Sequence, residues 1–216
     1  LILGKSCQAC CVLPAPANGS RLQQHTLLYA TASTGKLLAR ETGLGLTLLP
    51  VLYQRAGFNQ HTLRDDQRRF ATDAAAARTL QRGVATSGRP LLNAGVAIHS
   101  LRAAEPAAIA QLIDELGDLP IHVHVAEQTA EVDDCLQATG LRPIEWLAQH
   151  TPLDARWQLV HATHTTRDEV DAVAASGAGV VICPSTEGNL GDGFTDIPAW
   201  LGAGVPLAIG SDSHVT

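Results

Sequence analysis

The chain has 216 residues, 45% of them apolar and 17% charged, with a net charge of −6. That balance belongs to a globular domain and excludes a disordered chain. Only 15 Lys and Arg are present, scattered along the chain, which argues against a nucleic-acid binder, and no apolar run approaches the roughly 18 residues that span a bilayer.

Residues 1–20 (LILGKSCQACCVLPAPANGS) carry no period and are expected to form a poorly defined N-terminal segment. Cys7 and Cys10 have zinc or redox spacing, but no second ligand pair follows, so the structural reading is preferred over a metal knuckle. The 5 cysteines are odd in number and unevenly placed. With no secretory leader pattern, a reducing, cytoplasmic location is expected. No Met occurs, even at position 1, so the chain is expected to start inside a longer reading frame.

A helical pattern over Leu22–Thr42 closes at Gly43. Leu44–Leu52 is a continuous apolar run, as in a strand buried on both faces. Asp66–Ser87 reads as one long Ala-rich helix, and Leu91–Ile98 as a second strand. Glu105-Pro106 opens a helix running to Leu116, with Pro in its first turn. Leu119–Ala126 is a strand, and Thr129–Thr139 and Pro143–His150 are helices. Strand Trp157–His161, helix Thr166–Ser176 and strand Gly179–Cys183 follow. A Gly-rich loop around Gly188, Gly191 and Gly193 leads to a short helix near Ile197–Leu201, and Pro206–Gly210 is the last strand. Six strands alternating with helices make a parallel sheet in one domain over 1–216, either open and doubly wound or a (β/α)₈ barrel. No nucleotide-binding glycine motif follows any strand.

Polar residues gather at the C-terminal ends of these strands, where parallel α/β architectures bind ligands. They are His99, His122, His124 with Glu127 just beyond, His161 and Asp212. Alternation puts His122 and His124 on one face. His124, His161 and Asp212 are then expected to converge above the sheet. Such a nitrogen and oxygen donor set suits Zn²⁺ with an open position for water, with Glu127 placed as a non-ligand acid or base.

At these residues the sequence resembles the amidohydrolase superfamily. The carriers are His124-Val-Ala-Glu127, Leu159-Val-His161-Ala-Thr-His164 and Gly210-Ser-Asp212-Ser-His214, whose order matches the family's fifth, sixth and eighth strands. Within it, His99-Ser-Leu-Arg102-Ala, His124-Val-Ala-Glu127-Gln and Ser185-Thr-Glu-Gly-Asn189-Leu-Gly-Asp-Gly193 are similar to the formimidoylglutamate deiminase branch. The similarity runs from about Leu37 to Thr216.

The resemblance implies an incomplete TIM-type (β/α)₈ barrel holding strands three to eight. The first strands, with their His-x-His ligand pair, and a small β-domain are missing; too few residues follow His124 for His122-x-His124 to be that pair. It implies one divalent metal ion, zinc first, with His124 and Asp212 as ligands. Glu127, His161 and Asp212 become catalytic, with Asp212 both ligand and base. Arg102 and His99 become substrate-binding residues for a dicarboxylate, N-formimino-L-glutamate, hydrolysed to N-formyl-L-glutamate and ammonia in histidine degradation. A homodimer is implied for the full-length parent.

Tyr53 and Arg55 are expected in a surface loop, His164 and His214 in a supporting role, and Glu187 and Asn189 as shapers of the seventh loop. With the barrel open, Leu44–Leu52 and Pro206–Gly210 are expected to be exposed apolar edges, and zinc binding to be weak. Two alternatives stay open. One is an aminohydrolase for guanine, adenosine or a chlorotriazine. The other is a non-catalytic chain that lacks the His-x-His pair.

Overall fold

The computed structural model describes residues 2–3, 7–8, 46–85, 92–210 and 212. The helix expected over 22–42, Cys10, Cys11 and His214 lie outside them. Among the described residues nine strands form one curled sheet: β1 (Ile2–Leu3), β2 (Cys7–Gln8), β3 (Leu46–Leu52), β4 (Leu92–Ala94), β5 (Val96–Ile98), β6 (Ile121–Val125), β7 (Trp157–His161), β8 (Gly179–Ile182) and β9 (Leu207–Ile209). β1 and β2 are antiparallel additions, β2 pairing with β3. From β3 through β5, β6, β7 and β8 to β9 every pairing is parallel, as the βα alternation requires.

Among the described residues seven α-helices link the strands: α1 (Ala74–Ala85), α2 (Pro106–Ile113), α3 (Thr129–Thr139), α4 (Pro143–His150), α5 (Arg167–Ser176), α6 (Pro184–Leu190) and α7 (Ile197–Gly202). Their ends are written in the sequence. Pro stands in the first turn of α2, α4 and α6, where its missing N–H costs nothing. Thr166 and Glu169 form a reciprocal capping box on α5. Left-handed Gly140 and Gly177 close α3 and α5. Among the described residues no helix is long and apolar enough to cross a membrane.

Several boundaries depart from the sequence expectation. The helix expected over Asp66–Ser87 starts only at Ala74. Thr72 is tied to Tyr53 by two backbone hydrogen bonds, and the Asp73 carboxylate caps the Ala76 N–H at 2.7 Å. The second strand breaks at Gly95, where β4 on β3 gives way to β5, which lies between β3 and β6. A Cβ at Gly95 would lie 2.4 Å from the Pro120 carbonyl oxygen, so only glycine fits. The Gly-rich segment is partly helical, since α6 runs through Gly188. Nor is β3 an exposed edge: it has strands on both sides, and Leu49 and Leu52 are fully buried. The apolar edge is at β9, where Ile209 is 75% exposed.

The two faces of the sheet bury different residues. Ile121, Val123 and Val125 of β6 join the large cluster shared with the helices. The other face carries Leu49, Val51, Ala97, Val160, Val181 and Cys183. Alternation therefore turns His122 and His124 to that second, inner face. Both are buried, and His122 Nδ1 has no hydrogen-bond partner.

Candidate metal centre and active site

The inner face opens at the C-terminal ends of the strands, where the expected site residues meet. His124 lies near the end of β6, and its Nδ1–H donates to the His99 carbonyl at 2.7 Å. This fixes the tautomer and turns Nε2 toward Asp212 Oδ1, 3.9 Å away. Burial first, then the charge of His161, lowers the His124 pKa to about 4. The imidazole is neutral near pH 7, the form that binds metals.

His161 ends β7 and is 1% exposed. Trp157 and Leu159 face the helices, so simple alternation would turn His161 the same way. Its backbone is instead left-handed, φ 73°, followed by Ala162 at φ 48°. That kink re-aims the ring inward. Its Nε2 is 3.6 Å from Asp212 Oδ2 and 3.6 Å from Glu127 Oε1. The rings of His124 and His161 stack at 5.4 Å. Burial alone would lower the His161 pKa, but the hydrogen bond to Glu187 and the carboxylates of Glu127 and Asp212 outweigh it and raise it.

Asp212 follows β9, also left-handed at φ 45°, and its carbonyl accepts the Thr186 hydroxyl at 3.0 Å. Donor atoms of His124, His161 and Asp212 all lie within 4.8 Å of one another. Two imidazole nitrogens and a carboxylate oxygen match the borderline chemistry of a zinc site, so the residues fit a divalent ion. His161, read from sequence as a catalytic residue outside the expected ligand pair, stands geometrically with His124 and Asp212. Glu127 sits beside this group. Burial first, then the charges of Asp192 and Asp212, raises its pKa, against the opposing charges of His161 and Arg102. Its carboxyl holds a proton to higher pH than an exposed one.

Arg102 lies in a 3₁₀ turn, Leu101–Ala103, after β5. It is half-buried, and its Nε is enclosed without a hydrogen-bond partner. His99 packs edge-on against Tyr53 at 4.5 Å and His124 at 5.3 Å. Burial, then the charges of His124 and Arg102, holds the His99 pKa well below the usual range.

Three residues expected in loops are corrected. Tyr53 and Arg55 are buried. Gln67 donates to the Tyr53 hydroxyl at 2.9 Å. Arg55 donates to the carbonyls of Arg102 and Leu101 at 3.1 and 2.9 Å and pairs with Glu105 at 3.1 Å, so it holds the turn that carries Arg102. Glu187 lies in α6; its Oε1 accepts the Cys183 N–H at 2.8 Å and His161 Nδ1–H at 3.4 Å. Pro184 in a first helical turn, with Glu187 three residues on, was the sequence signal for it. His164 contributes backbone: its N–H donates to Ala126 and its carbonyl accepts from Arg142. Asn189 is exposed.

Known proteins share this arrangement of elements. The sequence pattern of the amidohydrolase family matches residues 27–216. The formimidoylglutamate deiminase of Pseudomonas aeruginosa is 47% identical over 183 residues, 82% of this chain and 40% of that protein. A 5-methylthioadenosine/S-adenosylhomocysteine deaminase of Natronomonas pharaonis is 35% identical over 53% of this chain and 27% of its own length. The crystal structure of an amidohydrolase from Brucella melitensis superposes with a TM-score of 0.78 and 43% identity, covering 83% of this chain and 41% of that one. An adenosine deaminase from Xanthomonas campestris, with bound zinc, gives 0.68 and 27%, covering 85% and 40%. The chain thus spans about two fifths of the length of the first of these relatives and of both structures.

Proposed function

The chain belongs to the amidohydrolase family, and on that premise we propose that it carries the catalytic half of a metal-dependent deiminase acting on N-formimino-L-glutamate. The observation that carries the proposal is the meeting of His124, His161 and Asp212 within 4.8 Å beside Glu127, one βα unit away from a guanidinium with a buried, unpartnered Nε. The 47% identity to a formimidoylglutamate deiminase supports the substrate.

His124 and Asp212 would hold the ion, with His161 within reach of it. A bound divalent ion brings the pKa of water down toward neutrality. Asp212 takes the proton of the attacking water as its oxygen bonds to the formimino carbon. Glu127, whose burial lets it hold a proton to higher pH than an exposed carboxyl, gives its proton to the terminal nitrogen. His161 Nε2, at 3.6 Å from both carboxylates, hydrogen-bonds the adding oxygen. Asp212 then passes the water proton to that nitrogen while the hydroxyl proton returns to Glu127, so the C–N bond breaks, ammonia leaves with N-formyl-L-glutamate, and both carboxyl groups are restored. Arg102 grips a substrate carboxylate through charge-assisted hydrogen bonds, and His99, kept neutral, lines the space between. A place in histidine degradation and in the cytoplasm follows from this substrate.

The test is ammonia release from N-formimino-L-glutamate by a zinc-loaded protein carrying this chain, with adenosine and guanine as rivals. Turnover of the formimino compound alone is expected; preference for a nucleobase would overturn the substrate. Arg102→Met should raise KM roughly 10–100-fold, the worth of a charged hydrogen bond. An unchanged KM would remove Arg102 from the substrate site.

A further inference from the structure

One buried carboxyl group beside the site has no part in the chemistry above. Glu131 stands in the first turn of α3, four residues beyond Glu127, and is 5% exposed. Its Oε2 accepts the Glu127 backbone N–H at 3.0 Å. Its Oε1 is enclosed without a partner.

The strand explains what that bond does. β6 ends at Val125, which faces the helices. Continued alternation would put Glu127 on that same face, away from His161. The chain turns instead at Ala126, whose φ is 51°, a left-handed conformation that is unfavourable for a residue with a Cβ. The turn brings the Glu127 carboxylate to 3.6 Å from His161 Nε2. The amide of the turned Glu127 ends on Glu131, in the first turn of the helix that follows. Burial first raises the Glu131 pKa to about 7, and the Glu127 amide bond and the Arg102 charge oppose that rise.

We infer that Glu131 is the positioning residue for Glu127: its carboxyl holds the left-handed Ala126–Glu127 turn and so aims the Glu127 carboxyl at the reacting nitrogen. The inference rests on Glu127 being the acid of the proposed reaction.

Glu131→Ala in a protein carrying this chain should lower kcat about 30-fold or more, since a displacement near 1 Å can cost on the order of 100-fold. KM should stay within about threefold and metal content should be unchanged. Glu131→Gln keeps an acceptor oxygen and should stay within about fivefold of the parent kcat. On a Glu127→Gln background, Glu131→Ala should cost less than about threefold more, because both changes act through one group. A fully additive loss, or an Ala variant within about threefold of the parent, would overturn the inference. If the Ala variant does not fold, Glu131→Met, which fills the volume without an acceptor, takes its place. Hydrogen–deuterium exchange over residues 121–131 needs no substrate. Faster exchange at Glu127 in the Ala or Met variant, but not in Gln, supports the inference, and unchanged exchange overturns it. Failure of the parent to act on N-formimino-L-glutamate would defeat the deiminase reading and leave this exchange result to decide Glu131 by itself.

Discussion

At their N-terminal ends β5, β6 and β7 meet in a closed row: the Val96 N–H reaches the Pro120 carbonyl and the Ile121 N–H the Arg156 carbonyl, while Ile121 and Trp157 are fully buried. Gly95 there leaves no room even for a methyl group. At the C-terminal ends of the strands the chain kinks. Of the five non-glycine residues with positive φ among the described residues, Ala126, His161, Ala162 and Asp212 are here; the fifth, Glu115, follows α2. One end is packed to fill space in relaxed backbone, and the other keeps strained backbone and buried, unpartnered polar atoms. Strain of this kind is costly unless the surroundings hold it, and it collects where a site must aim its side chains.

The sharpest break of that contrast is Glu127→Gln. Loss of a positioned proton donor should reduce kcat roughly 100- to 10,000-fold while metal content stays near the parent value. Metal analysis beside steady-state rates checks it, and loss of the ion would make Glu127 a ligand.

Glu131 sharpens the contrast from the stability side. Its folded pKa is raised to about 7 from a reference of 4.5. Between these values the folded state keeps a proton that the unfolded chain has lost. Its contribution to stability is therefore full below pH 4.5 and falls as pH rises toward 7, by on the order of 3 kcal/mol. Denaturant unfolding of a protein carrying this chain, at pH 5 and pH 8, should show this loss. Glu131→Gln should flatten it.

A smaller effect is expected at the opposite end. Gly95→Ala drives a methyl group against the Pro120 carbonyl and Leu49, and should destabilise by about 1–3 kcal/mol. The kcat of the folded fraction should not change. Gly179→Ala meets only the tip of the Gln158 side chain, at 2.6 Å, which can move aside, so about 1 kcal/mol or less is expected. Equal losses at the two glycines would mean that packing at this end is looser than described.

The sequence already contained the strands and the convergence of His124, His161, Asp212 and Glu127, because an apolar run followed by a polar residue marks both a buried strand and its functional end. Two helices, Thr129–Thr139 and Pro143–His150, fall where capping and periodicity put them. The supporting residues were hidden. Arg55 acts on a carbonyl 47 residues away, and no local pattern reports such a contact. Glu187 was masked by glycines that read as a loop, although the first turn of α6 had already been set by Pro184. Alternation alone misplaces His161 and Glu127, since it assumes that the strand runs on.

The hydrogen bond that orients His124 ends on the backbone carbonyl of residue 99, not on a side chain. A carbonyl survives every substitution at its own position. If His99 and Arg102 bind substrate as proposed, changes at these positions would reshape what the site recognises while the carbonyl that orients His124 stays in place. The separation gives this half-barrel a route by which descendants could acquire new substrates without first rebuilding the centre that acts on them.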